Sequence, residues 1–440
     1  MKKGYPRIWL TAFCLILALS VISLSACSGT AATTPSTSTP AQTTGPAPAT
    51  TSSTAGKVLK LGFITPSTGP VGYKGLPGQH GYLDAVSYIN TELGGIGGYQ
   101  IKPLWFDSAY DKAKVATIVK DLMDQGALMF ATMSSTEGLA ASEIANRAGF
   151  PGLSTYTAAN IYRPPQHIYG QAPDYGDDWI AFANYYMKNI WKGSGKPKMA
   201  LHLLNNPTGS AVKDAARAKA DALGIDIVDT EEHTATTIDE TESLTRMKAK
   251  NPDVIFISST DQPTAIILKN MRQLGIKAVV GLGHAGYSKA LVDLAGADLI
   301  EGIYVPSPIV TWSDSAPGLA KVKEYVAKNN PGDSGDANYL SCWATALTMG
   351  QILKNAVTSM GYDVLAKGDA AAWAAVEQSG IQKLNYGVEG LQGTAAYSAG
   401  DNRLAKSLKI YVVKGGQLSA VSDWVDAPVT KYEDFSWWGK

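Results

Sequence analysis

From residue 58 onward the chain alternates short apolar runs of strand character with longer stretches whose apolar residues recur at helical spacing. This rhythm limits the fold more than any other feature, because strand–helix–strand units stack into parallel sheets with helices on both faces. Runs 58–64, 101–106, 128–131 and 151–153 read as strands, with a Gly-rich turn after the first and helices at 81–93, 111–125 and 137–148. Together they make one doubly wound lobe. A second series starts near Tyr175, with helices at 179–191, 211–223, 242–250 and 264–274 and strands at 198–204, 226–230, 254–258 and 278–281. No sequence repeat relates the two series, although the rhythm is the same. After a strand at 302–305, Pro306-Ser307-Pro308 reads as a crossing back to the first lobe. Helices follow at 316–329 and 339–358, then a hairpin or short strands over 393–424.

Ahead of this body, Lys2, Lys3 and Arg7 precede an uncharged apolar stretch, 8–26, that closes on Leu24-Ser25-Ala26-Cys27. That pattern reads as an export signal, 1–26, with Cys27 as the cleaved and lipidated residue. An uncleaved anchor is the alternative, since about 20 apolar residues can span a bilayer. Small residues before the cysteine, and no basic cluster after it, fit lipidation better. Residues 27–56 are Ser, Thr, Pro, Ala and Gly with almost nothing to bury, so they read as a disordered linker. The body is expected outside the cytoplasm, in the periplasm or at the cell surface, tethered to the membrane through lipid at its N-terminus.

Lysine plus arginine and aspartate plus glutamate both number 38, so the chain lacks the basic footprint of a nucleic-acid binder. Of three cysteines, Cys14 leaves with the signal and Cys27 carries lipid, so Cys342 stands alone and the body has neither a disulfide nor a thiolate metal site. Five histidines, at 80, 167, 202, 233 and 284, show no zinc-binding spacing. Gly281-Leu282-Gly283-His284-Ala285-Gly286 is a literal G-x-G-x-x-G. The nearest acid, Glu301, precedes the next strand instead of ending it, against a dinucleotide site. No G-x-S-x-G elbow is present. No catalytic residues, cofactor or metal are expected, and the chain reads as a non-enzyme.

Several segments, taken in order, resemble the branched-chain amino-acid (Leu/Ile/Val) type of periplasmic binding protein, the substrate-binding subunits of ABC importers. They are the strand leading into Pro66-Ser67-Thr68-Gly69-Pro70, the segment 81–90, Gly94-Gly95-Ile96, Asp107 with Asp111, Ser134-Ser135-Thr136, and 393–401. The resemblance runs from about Val58 to about Val413. It implies an α/β fold of two Rossmann-like lobes joined by three hinge crossings, with lobe 1 at 57–173 plus 307–389 and lobe 2 at 174–306 plus 390–440. It further implies a monomer that captures a small molecule in the cleft and delivers it to an ABC permease. A ligand sensor acting on a membrane receptor would share the fold.

Ser134, Ser135 and Thr136 follow a strand and open a helix, where free N–H groups and hydroxyls suit a carboxylate. Ser134 and Glu137 also have capping-box spacing. By resemblance, Ser154, Thr155, Tyr156 and Thr157 complete this grip, and Tyr73 and Tyr175 belong to the cleft walls. Thr208 stands where relatives often carry an aromatic residue. In the same pattern an acidic residue, in the loop that here reads Gly283-His284-Ala285-Gly286, accepts the ligand's ammonium. Ala285 takes its place, beside His284, and Asp261 is the nearest acid. A pocket without that acid should reject zwitterions, because an unpaired buried ammonium is costly. The expected ligand is a small carboxylate, aromatic acid or amide, or an amino-acid-like molecule if Asp261 takes the acid's part.

Overall fold

A computed structural model describes residue 54 and residues 56–439. The expected signal, Cys27 and most of the linker lie outside these residues. Among the described residues no helix is long and apolar enough to cross a membrane.

The first lobe runs β1 (Val58–Thr65), α1 (Gly72–Thr91), β2 (Gln100–Asp107), α2 (Lys112–Asp124), β3 (Met129–Thr132), α3 (Ser135–Ala148), β4 (Gly152–Ser154), α4 (Ala159–Tyr162) and β5 (Ile168–Gly170). Its sheet is parallel throughout, in the order β2–β1–β3–β4–β5. β1 lies between two neighbours and is buried at every position from Leu61 to Thr65, as an apolar run without alternation implies. At Gly62 a Cβ would stand 2.7 Å from Leu122, so glycine lets α2 lie close against the sheet.

The second lobe runs α5 (Tyr175–Tyr185), β6 (Lys198–Leu204), α6 (Pro207–Lys219), β7 (Asp226–His233), α7 (Thr241–Ala249), β8 (Val254–Ser258), α8 (Asp261–Gln273), β9 (Val279–Leu282), α9 (Lys289–Ala295), α10 (Ala297–Ile300) and β10 (Tyr304–Ser307). The chain then builds α11 (Leu319–Asn329), α12 (Ala337–Met360), α13 (Tyr362–Leu365) and α14 (Ala370–Ala375). It continues through a small ribbon, β11 (Asn385–Tyr386) with β12 (Ala395–Ala396), and ends in β13 (Ser407–Lys414), β14 (Gln417–Ala420) and β15 (Val425–Asp426). α12 returns to the first lobe and packs along α1. The second sheet reads β7–β6–β8–β9–β10 in parallel, then β13 and β14 antiparallel.

Each lobe therefore places its first strand between its second and third. In such sheets ligands bind beyond the carboxyl ends of the strands where the order reverses. The loops concerned follow β1 and β3 in one lobe and β6 and β8 in the other.

The crossings lie side by side. Gly170 donates to the Asn402 carbonyl at 2.9 Å and accepts from Leu404 at 2.8 Å, and Val310 donates to Leu391 at 2.9 Å. Arg403, fully buried, binds Asp177 at 2.6 Å and Asp401 at 3.0 Å, which ties the start of α5 to the last crossing.

Two expectations change, and the G-x-G-x-x-G segment takes a form unlike a dinucleotide loop. The Gly-rich stretch before residue 81 is helical, and α1 begins at Gly72. Its glycines serve close packing: a Cβ at Gly75 would stand 2.0 Å from the Pro66 carbonyl, and one at Gly81 would stand 2.2 Å from that of Tyr339. Pro306 and Ser307, expected in a crossing, belong to β10, paired to Ile410 and Lys409. The G-x-G-x-x-G segment forms a single 3-10 turn, His284–Gly286, ahead of the seven-residue α9.

Candidate functional site

The four switch-point loops meet face to face and enclose a small cavity of about 40 Å³, lined among others by Lys74, Ser134, Ser135, Tyr175 and Thr208. Ser135 and Thr208 face each other across the lobes, Oγ to Oγ1 at 3.4 Å. Burial pushes the Tyr175 hydroxyl upward, and the Thr208 and Ser135 hydroxyls beside it pull the other way. Three hydroxyls thus converge from both lobes and the first crossing. Thr208 is held in place by its neighbours: its N–H donates to Asn206 at 2.8 Å and its carbonyl accepts from Ser258 at 3.0 Å.

Ser134 serves two purposes. It caps α3 in a full capping box, with Glu137 N–H donating to its Oγ at 3.2 Å and its own N–H donating to Glu137 at 2.9 Å. It also lines the cavity. Thr136 is drawn aside by Tyr110, whose hydroxyl lies 3.0 Å from its Oγ1 and accepts from Asn206 at 3.2 Å across the lobes.

The strongest link between the lobes is one the sequence did not disclose. Lys74, on the first turn of α1, donates to Asp261 at 2.5 Å and to the Ala285 carbonyl at 2.8 Å. Both residues of the pair are buried. An ammonium therefore does sit beside Ala285 and Asp261, but it belongs to the protein. Lys74 lines the cavity and Asp261 does not. Tyr73, more than a third exposed, stands next to this pair, with Thr260 and Gln262 of the second lobe nearby.

Tyr156 also lines the cavity, whereas His284 packs against Tyr156 without lining the cavity. His284 lies between Tyr156 and Tyr175, each ring centroid 5.3 Å away and nearly parallel. Its Nδ1 is held by the buried Asp178 carboxylate at 2.6 Å. Two candidates turn away from the cavity. Ser154 donates to the Tyr156 carbonyl at 2.8 Å, and Thr155 bonds Tyr82 at 2.6 Å and Thr345 at 2.9 Å inside the first lobe. Thr157 is buried, its hydroxyl without a partner among the described residues, and it does not line the cavity.

Two histidines without paired spacing in the sequence are nonetheless brought together by adjacent strands. His202 and His233, both buried, lie Nδ1 to Nδ1 at 3.0 Å. Their outer nitrogens reach Ser243 at 3.1 Å and Ser259 at 2.7 Å. Among the described residues no group of three or more His, Cys, Asp or Glu is placed to hold a metal.

A family model described as periplasmic binding protein matches residues 58–417. A Leu/Ile/Val-binding protein homolog 8 from Brucella abortus is 25% identical over 284 residues, covering 61% of this chain and 70% of its own length. The structure is similar to a branched-chain amino acid ABC transporter protein from Thermus thermophilus with bound valine, at TM-score 0.74 and 21% identity over 84% of this chain and 97% of that one. A fatty acid ABC transporter substrate-binding protein from Thermomonospora curvata gives TM-score 0.73 at 18% identity, over 86% and 94%.

Burial pushes the Glu137 carboxyl up to about 7 from an ordinary 4.5, with Ser108 and Ser134 hydrogen bonds pulling it down. Between these values the folded chain keeps a proton that the unfolded chain has lost, so stability falls as pH rises through that window. Glu137→Gln, which can still cap α3, is expected to flatten this slope and to stabilise the protein above pH 7 by about 3 kcal/mol. Urea titrations at pH 4.5, 6 and 7.5 measure it; parallel pH profiles for wild type and variant would contradict the assignment.

Proposed function

The chain belongs to the periplasmic binding protein family, and from that premise we propose that it is a solute-binding lipoprotein of an ABC importer, taking a small carboxylate or amide without an ammonium group. Its family is one of extracytoplasmic binding proteins, which supports a binding role over a catalytic one. Its similar structures include one with bound valine and one named for fatty acid transport, so the fold alone leaves the ligand open.

One observation carries the choice of ligand. Lys74 lines the cavity, and its ammonium already binds one oxygen of Asp261 and the Ala285 carbonyl, neither of them a side chain offered to the cavity. An incoming carboxylate meets a cation, three hydroxyls and the N-terminal end of α3. An incoming ammonium meets a like charge, and the one carboxylate oxygen left without a partner, Asp261 Oδ1, belongs to a residue that does not line the cavity. Removing an ammonium from water without a partner costs several kcal/mol, which excludes zwitterions.

Capture follows from the two-lobe geometry. A cavity of about 40 Å³ is little more than one water's share of liquid volume, roughly 30 Å³, so the lobes must part to admit solute. Binding then biases the equilibrium toward the closed form by the extra contacts made there. The hydroxyls of Ser135 and Thr208, from opposite lobes, are in reach of one ligand group only after closure.

Calorimetry of the wild-type chain with leucine, isoleucine and valine is expected to show no binding. Lys74→Met, at a stability cost of about 3–5 kcal/mol for leaving Asp261 unpaired, frees an acceptor and should gain measurable leucine binding. Lys74→Met with Asp261→Asn should lose it again. Tight wild-type leucine binding that survives Asp261→Ala would overturn the ligand assignment.

Two acyl chains on Cys27 give firm membrane attachment. Intact-mass spectrometry of the protein extracted from native membranes is therefore expected to show a chain that begins at an acylated Cys27, and an unmodified chain that begins at Met1 would refute lipid anchoring.

A further inference from the structure

Beside the polar cavity lies a much larger chamber of about 470 Å³, within the roughly 300–1,000 Å³ usual for small-molecule sites. Tyr156 lines both spaces, and the aromatic layer Tyr156–His284–Tyr175 is what separates them. The chamber is bounded by the second lobe at Val292, by β10 and the crossing after it at Val305, Ile309 and Val310, and by Trp312 and Leu418. Ala337 and Ser341, at the start of α12, close it from the first lobe. It is thus an interlobe space whose walls part and meet with the lobes.

Its interior makes few polar demands. The Ser307 hydroxyl donates to Ile309 at 2.8 Å, Trp312 Nε1 to the Asp336 carbonyl at 2.9 Å, the Tyr287 hydroxyl to Gly416 at 2.9 Å, and the Tyr156 hydroxyl to Asn338 at 3.0 Å. Lys289 and Asp293 pair with each other at 2.5 Å and are at least half exposed. Polar groups that are already matched leave apolar wall as the surface for a ligand to cover. The small cavity, in contrast, has room for a head group and nothing more.

We propose that this chamber holds the apolar body of the cargo, which makes the cargo a monocarboxylic acid with a hydrocarbon tail of several carbons. The inference rests on the carboxylate reading above: the acid group occupies the Lys74–Ser135–Thr208 cavity, and the tail passes the Tyr156 edge into the chamber. Closure then buries the tail between both lobes, so each added methylene strengthens the closed form.

The test is calorimetry of the full chain, dialysed free of bound solute, with acetate, butyrate, hexanoate and octanoate, and with 1-octanol as the headless control. Burial of a methylene multiplies affinity by about fourfold, so a steady rise at that rate from butyrate to octanoate is expected. Octanol should bind at least tenfold more weakly than octanoate. Val292→Trp, at a half-buried wall position, should level the rise beyond butyrate while leaving acetate binding unchanged. Ser341→Trp narrows the chamber from the other lobe, should Val292→Trp fail to fold. Affinity that stays flat with tail length while acids still bind overturns the chamber and leaves the carboxylate reading standing. Octanol binding as tightly as octanoate does the reverse. No binding by any of the five overturns both.

Discussion

A buried ammonium–carboxylate pair that joins two separately built lobes is the constraint on which the rest of this structure turns. Lys74 comes from α1 and Asp261 from the start of α8, so the pair exists only when the lobes are together. Taking two charges out of water is costly, and geometry this close, with the Ala285 carbonyl as a second acceptor, offsets the cost. Removing either partner leaves the other stranded. The pair therefore fixes the charge that the cavity presents as well as the approach of the lobes, and the converging hydroxyls of Ser135, Thr208 and Tyr175 act around it.

The fold makes such a meeting possible by repeating one strand order twice. Because each sheet reverses direction beside its first strand, the loops after β1, β3, β6 and β8 all project from carboxyl ends, and the crossings turn the two sets toward each other. At the crossings, Arg403 with Asp177 and Asp401 ties the start of α5 to the last crossing. Nearer the cleft, His284 between Tyr156 and Tyr175 joins lobe, lobe and crossing in one aromatic stack, with Asp178 holding the imidazole from behind. Helices and strands of both lobes thus carry the site, and a few backbone crossings join the lobes.

The alternating lobes were legible in the sequence because buried parallel strands are apolar at nearly every position, as 58–64 and 254–258 are. Ser134 was legible as the cap of α3 and as a residue at the cavity, since capping-box spacing and a strand–helix junction are local patterns. Lys74 was not. Glycines at 75, 78 and 81 look like a turn, yet they sit in a helix where backbone and side chains of α12 and the β1 loop come too close for a Cβ. Reading that stretch as a turn left Lys74 without a direction. His202 and His233 were hidden differently: neighbouring strands set them side by side, and that pairing follows from sheet order, which no short motif reveals. Thr155 followed the resemblance, but bonds to Tyr82 and Thr345 turn its hydroxyl inward.

What the cleft holds in the cell is the most direct measure of what Lys74 does there. Native mass spectrometry of the protein purified without unfolding, followed by release and fragmentation of the bound molecule, reads its functional groups. A carboxylic acid lacking any amine is the expected occupant. A zwitterionic amino acid recovered in stoichiometric amount would contradict the role given to the Lys74–Asp261 pair.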